Sequence, residues 1–377
     1  MKKRNIFFLI LTIIGVALFV FLVQSIGWDK IKEAFTMFTW WQFVILVVSF
    51  FIWLIFISRS TMVILKAFGH RISFKKMYPL VCIAFSVGYV TPVPYTGGEP
   101  VQVYLMYKRN HVPISAATTA VILERVTRQI MALLVILAGV VLGLATVDMS
   151  WITRFILIGL MAFFLFVLWA YFAKSISGEG FLQFMIRFLH LKNLKIVKKP
   201  KAARVIQNID RCTTNFLTSH GKPFWISMGY ATLSTAIMVG QLILVLYFMG
   251  YKPTLSGVLL LYMFTNLVTL IPTPAMLGTY EAGGMAVFAI EGLGAGFGLV
   301  FSLIMRIANV FAILPGLFML PYYGLTIREA VVNGKGLRKK VEDLVPINQN
   351  NLNKTPLDNI NHIFKNGDNK KTPSGEG

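Results

Sequence analysis

Charge is scarce in this chain. Of its 377 residues, 14% are Asp, Glu, Lys or Arg, where an average soluble domain carries about 25%. Apolar residues make up 56% and the mean hydropathy is +0.70. This composition excludes a soluble globular fold and points to an integral membrane protein. Acids are scarcer than bases, 15 against 36, for a net charge of +21. Such an excess can mark a nucleic-acid binder. Here, however, the basic residues fall between apolar runs, where attraction to anionic headgroups accounts for them, so nucleic acid is not expected as a partner. Cysteine and histidine are rare, two and five residues. Cys82 and Cys212 lie in different regions, and no histidine pair has ligand spacing. That excludes a disulfide framework and a metal cluster, and no cofactor is expected.

What is abundant is apolar sequence of membrane-spanning length, about 20 residues per crossing. Met1-Lys2-Lys3-Arg4 precedes an apolar run over residues 6–23. The run is long for a signal peptide core and no small-x-small cleavage site follows, so it is read as a first span with its N-terminus inside. Residues 42–65, 114–147, 151–173, 224–249 and 299–325 supply five more. Lys and Arg concentrate at 66–76, 108–111, 174–222 and after 325. The positive-inside rule makes those segments and both termini cytoplasmic. The insert 174–222 holds ten basic residues against Glu179 and Asp210. Phe181, Phe184, Met185 and Phe188 recur there at helical spacing, as in a helix lying on an anionic leaflet or a plain linker helix. The domain layout is therefore a transmembrane domain over 1–330, with halves 1–147 and 151–330, and a cytoplasmic tail over 331–377 expected to be disordered.

Two apolar regions are broken. Residues 91–100 read TPVPYTGGEP, with Pro92, Pro94, Gly97, Gly98 and the carboxylate Glu99. Residues 271–284 read IPTPAMLGTYEAGG, with Pro272, Pro274, Gly278 and Glu281. A helix interior cannot run through Pro-x-Pro, which removes ladder donors, and paired glycines favour turns. Broken backbone at membrane depth is tolerated only where protein buries it or a wet cavity meets it. An arginine follows each acid, Arg125 after 26 residues and Arg306 after 25. Matching broken segments in two halves point to a transport site at a repeat interface. The arms beside each break are short for a full crossing. The fold class expected is thus an all-α polytopic membrane protein of about eight apolar segments: six spans and two re-entrant hairpins, arranged as inverted repeats. Eight full crossings are the competing count.

The intramembrane ionisable set is Glu99, Glu124, Arg125, Arg128, Glu281 and Arg306, with Asn309 beside the last. A buried charge in lipid is costly unless paired or hydrated. The economical arrangement sets Glu99 near Arg125 or Arg128 and Glu281 near Arg306. Glu124 and Arg128, four apart, share a helix face. Such pairs serve as structural salt bridges. Alternatively the arginine forks hold a lipid phosphate while the acids balance them or meet a cationic headgroup. Helix N-termini at the breaks would add positive dipole ends for an anion. No residue is read as catalytic.

The two motifs, TPVPYTGGE with LERVTR after it and IPTPAMLGTYEAGG with a later Arg, resemble the membrane domain of lysylphosphatidylglycerol synthases. That domain also occurs alone as flippase-like membrane proteins. The resemblance covers about residues 5–330 and rests on Pro94, Gly97, Gly98, Glu99, Glu124, Arg125, Pro274, Gly278, Glu281 and Arg306. The second motif departs from it, with Ala275-Met276-Leu277 where glycines are common. The resemblance implies transfer of an anionic or aminoacylated phospholipid, such as lysyl-phosphatidylglycerol, across a bacterial-type plasma membrane. Full-length relatives also make that lipid from lysyl-tRNA in a soluble domain. Only about 50 residues follow the last span, too few for one, so the synthase reaction is expected to be absent from this chain. The alternatives are a truncated phosphatidylglycerol lysyltransferase, the membrane partner of a separate aminoacyltransferase, and an ion-coupled solute transporter using Glu99 and Glu281 as proton sites. A homodimer is left open.

Overall fold

The computed structural model describes residues 38–91, 97–147, 150–176, 181–188, 221–269, 278–292 and 294–324, with isolated positions at 210, 214, 216, 271 and 276. The apolar run 6–23, most of the basic insert, Pro92, Pro94, Pro272, Pro274 and the tail lie outside the described residues.

Among the described residues every regular element is an α-helix. They are α1 (Trp40–Ala67), α2 (Phe74–Val90), α3 (Glu99–Asn110), α4 (Ile114–Thr146), α5 (Trp151–Ile176), α6 (Phe181–Phe188), α7 (Gly221–Phe248), α8 (Leu255–Val268), α9 (Thr279–Ile290) and α10 (Ala295–Tyr322). Helix is what long apolar runs must form in hydrocarbon, because it satisfies every backbone polar group within the segment. The chain is therefore a polytopic α-helical membrane protein. Helices α1, α4, α5, α7 and α10 are long and apolar enough to cross a bilayer. The other apolar helices are short. The two flanking the first break, α2 and α3, have 17 and 12 residues. Those flanking the second, α8 and α9, have 14 and 12. Each falls below the ~20 residues a crossing needs.

Local chemistry sets the ends. At α1, Gln42 reaches back to accept from the Thr39 backbone N–H at 2.8 Å, half of a capping box that satisfies an orphan donor. Trp40, 78% exposed, stands at this end, where an interfacial indole belongs. Thr254 caps α8 by accepting from Gly257 N–H at 3.2 Å. Pro315-Gly316 lies within the last span and reads as an interruption of it, but α10 runs through it unbroken. A proline removes a single ladder bond, and neighbouring helices re-satisfy freed carbonyls in a membrane bundle. The carbonyl Pro315 leaves free is that of Phe311; close by, Ser86 of α2 donates to Ile313 O at 2.8 Å and packs against Gly316, holding α2 on this stretch of α10.

The bundle is organised around α1 and α7. Ser60 on α1 shares a 2.8 Å hydrogen bond with Ser227 on α7. Gln241, further along α7, donates to Leu46 O, earlier on α1, at 3.0 Å. Rising numbers on one helix meet falling numbers on the other, so the two are antiparallel. Around this axis α2 packs on α3 and on α10, while α8 packs on α9 and on α4; α3 packs on α4, and α9 on α10. Exchanging α1 with α7, α2 with α8, α3 with α9 and α4 with α10 leaves this pattern of neighbours unchanged. Among the described residues, helix α5 packs against α4 and α6. Its Phe163 and Trp169 are exposed, as expected of a lipid-facing surface.

Candidate functional site

Each break places an acid in the first turn of the short helix that follows it. Glu99 opens α3, and Glu281 lies in the first turn of α9. The amide dipoles at a helix N-terminus favour a carboxylate there. The positive helix ends expected to receive an external anion are thus already facing the protein's own acids.

The first cluster forms where α3 starts against α2. A Cβ added at Gly98 would sit 1.9 Å from the Ala84 carbonyl oxygen. Only glycine lets the two backbones come so close, and the approach turns Glu99 towards α4. Arg125 donates to Glu99 Oε1. One turn away on α4, Arg128 donates from Nε to Glu124 Oε1 at 2.9 Å and from Nη2 to Glu124 Oε2 at 3.3 Å. The Arg128 guanidinium also stands over the Trp53 ring of α1, 5.7 Å from its centroid, a cation–π geometry. Glu99 lies within electrostatic reach of Arg128 and Glu124 as well as Arg125. The four charges therefore act as one neutral group. They line a cavity with about 50 Å³ of water-accessible interior, walled also by Trp53, Phe85, Gly88 and Gln102. Apolar walls with a few convergent polar groups are the usual form of a small-molecule site.

Buried hydroxyls tie this cluster to the central helices. Thr127 donates to Glu124 O at 2.9 Å and meets Ser227 at 3.2 Å, and Ser227 in turn meets Ser60. Sequence position alone does not distinguish these residues from the ordinary small polar residues of a membrane helix.

The second cluster is the more deeply buried of the two. Glu281 is fully buried. Arg306 of α10 approaches its Oε1 from Nε at 2.7 Å and from Nη2 at 2.5 Å. Nη2 also donates to the Met276 carbonyl at 3.3 Å. Met276 has φ +55°, the left-handed conformation that glycine would adopt without steric cost. The missing glycine of the second motif is thus a residue held left-handed, with its carbonyl turned to Arg306. Asn309 stands one turn beyond Arg306 on α10. A smaller cleft between α8 and α9 has a water-accessible interior of about 10 Å³. Glu281, Arg306 and Asn309 line neither cavity.

The structure therefore joins Glu99, Glu124, Arg125 and Arg128 in one group and Glu281 with Arg306 in another, Asn309 standing one turn along α10 from Arg306. The first group lines a cavity. In both groups one carboxylate oxygen, Glu99 Oε2 or Glu281 Oε2, is buried with no hydrogen-bond partner. A buried acceptor left unpaired costs ~1–3 kcal/mol. Two residues outside the ionisable set also belong to the first site: Trp53 and Gln102.

No match was found to a curated protein or to a solved structure. A family model described as the lysylphosphatidylglycerol synthase TM region matches residues 8–316, a stretch that contains both breaks, both acid–arginine pairs and every described helix except the last turns of α10. The chain belongs to the lysylphosphatidylglycerol synthase transmembrane-region family.

Proposed function

We propose that this protein is a lipid translocase that moves an anionic or aminoacylated phospholipid, such as lysyl-phosphatidylglycerol, between leaflets. The observation that carries the proposal is the doubled acid–arginine pair beside a helix break, one copy of which opens on a cavity. Arginine forks suit a phosphodiester. A carboxylate oxygen without a donor suits an ammonium or hydroxyl on the same headgroup. The charges already balance inside each group, so the empty site is tolerable in the membrane and a zwitterionic headgroup can exchange for the internal pairing.

The architecture that goes with this function is six spans and two re-entrant hairpins in inverted repeats. The antiparallel α1 and α7, the short helices beside each break, and the interchangeable pattern of neighbours support it. Inverted repeats with broken helices place the substrate between the halves. The basic insert and the C-terminus are then cytoplasmic. Cysteines introduced at Lys198 and Asn350 are expected to resist an impermeant thiol reagent in intact cells and to react after lysis. Labelling of either in intact cells contradicts the orientation.

The function itself is tested in proteoliposomes with tail-labelled lipids bearing anionic, aminoacylated and zwitterionic diacyl headgroups. Anionic or aminoacylated lipid is expected to cross at least about tenfold faster than in protein-free vesicles, equivalent to ~1.4 kcal/mol off the barrier. Equal rates with and without protein for every headgroup contradict the proposal.

A further inference from the structure

Gln102 carries a buried amide with nothing in the fold to bind. It stands on α3 one turn after Glu99, so the two share a helix face. The residue is 7% exposed and lines the larger cavity. Among the described residues its side-chain amide has no hydrogen-bond partner, yet neither amide atom is sealed from water. Both ends of the amide therefore reach the cavity. Gln241, buried on α7, shows the contrast: its amide is tied to Leu46 O at 3.0 Å. A buried amide without a partner costs free energy, and native structures nearly always satisfy one. The amide that is left unsatisfied here is the one that faces a cavity.

The charges around it are already spent. Arg125 pairs with Glu99 and Arg128 with Glu124, and the four sum to zero. A guest that brings net charge into the cavity must break a pair; a neutral guest need not. What remains is one amide, with two donors and an acceptor, and Glu99 Oε2, an acceptor without a donor. A hydroxyl matches that remainder, because one oxygen both accepts from an amide N–H and donates to a carboxylate. An ammonium only donates, a phosphate diester only accepts, and a quaternary ammonium does neither. Size points the same way. At ~10–15 Å³ per water, an interior of about 50 Å³ has room for the last carbons and hydroxyls of a polyol and not for a whole phosphodiester. We propose that this cavity receives the hydroxyl end of a polyol headgroup, such as glycerol, and that Gln102 is the residue that reads it. Arg125, whose side chain is 31% exposed, remains to meet the phosphate. The inference rests on the translocase reading and names its substrate class: anionic lipids whose headgroup carries a free hydroxyl, a class that includes a singly aminoacylated glycerol.

The test measures apparent affinities by native mass spectrometry of the full chain in detergent. Two diacyl lipids of equal charge are compared: phosphatidylglycerol, and phosphatidylpropanol, which lacks both hydroxyls. The glycerol lipid is expected to bind at least about tenfold more tightly, the worth of one or two hydrogen bonds. Gln102→Leu is expected to erase that advantage by weakening the glycerol lipid alone, leaving phosphatidylpropanol as it was. Because the amide has no partner in the fold, the variant is expected to keep its melting temperature. Equal affinities for the two lipids in the unmodified protein overturn the proposal, and this comparison decides the matter even where the variant does not fold. A full preference retained in Gln102→Leu overturns the role of that residue. Tighter binding of phosphatidylethanolamine than of phosphatidylglycerol assigns the cavity to an ammonium and overturns the proposal as well. Free glycerol in molar excess is expected to leave the lipid bound; displacement of the lipid by an equal concentration of glycerol means a soluble polyol site and overturns the lipid assignment. A tenfold preference in binding, in a protein that moves no lipid across proteoliposomes, leaves this inference standing and removes the translocase proposal alone.

Discussion

Arg306→Met is expected to abolish most folded protein. The substitution leaves Glu281 fully buried and deprives its Oε1 of both arginine contacts, at 2.5 and 2.7 Å. It also frees the Met276 carbonyl, which Arg306 binds at 3.3 Å. Breaking a buried pair by removing one partner typically costs ~3–5 kcal/mol, because an uncompensated charge remains. A membrane protein has no water near such a site to absorb the loss. Glu281→Gln is expected to cost less, since a neutral amide still accepts from the guanidinium and the remaining arginine is 15% exposed. The double variant Glu281→Gln/Arg306→Met removes both charges and is expected to recover folded protein, read as a monodisperse gel-filtration peak in detergent. A change at Lys252, in the turn before α8, is expected to be near neutral. If Arg306→Met folds as well as the unmodified protein, the pair is not the buried electrostatic contact described above.

The second large effect is expected at Gly98. Its backbone is ordinary right-handed helix, φ −84° and ψ −29°, so alanine brings no torsional strain. The cost comes from contact alone. The new methyl would lie 1.9 Å from the Ala84 carbonyl oxygen and 2.7 Å from its carbon. Both are backbone atoms, which cannot rotate away, so α2 and α3 must separate. Overpacking of this kind costs ~1–3 kcal/mol and more when backbone has to move. Separation would also swing Glu99 away from Arg125, so transport is expected to fall together with stability. Gly159 on α5 is the control, because a Cβ there meets nothing within 4 Å. Gly159→Ala is expected to be neutral or to stabilise slightly, by up to ~1 kcal/mol of helix propensity. A normal melting temperature for Gly98→Ala contradicts the close approach.

Much of the bundle was legible from the residues. Apolar length and the rarity of charge give the spans, and Pro-x-Pro with glycine gives the two breaks, because those signals act locally. The acid–arginine pairings follow from the cost of a lone charge in lipid, which leaves few partners to choose from. Glu99 with Arg125 and Glu281 with Arg306 pair on that logic, and Glu124 with Arg128 on helical spacing. Other features depend on contacts between distant segments and leave no local trace. Trp53 looks like an ordinary apolar-helix aromatic until α1 is packed beside α4 and its ring meets Arg128. The continuity of α10 through Pro315 overrides local propensity with tertiary packing, here with Ser86 from α2. Met276 holds a left-handed backbone that its side chain gives no reason to expect. The deeper burial of Glu281 relative to Glu99 is likewise invisible in two motifs that read almost alike.

The central claim is that the acid–arginine pairs handle the lipid headgroup and do more than hold helices together. The most direct test is the initial rate of labelled anionic lipid crossing in proteoliposomes, compared between the unmodified protein and the folded Glu281→Gln/Arg306→Met variant at equal reconstituted amount. The account predicts that the double variant reconstitutes normally yet transports at no more than the protein-free rate, because the phosphate fork of the second cluster is gone. Transport restored to the unmodified rate in that variant would contradict it and reduce the pair to a structural salt bridge.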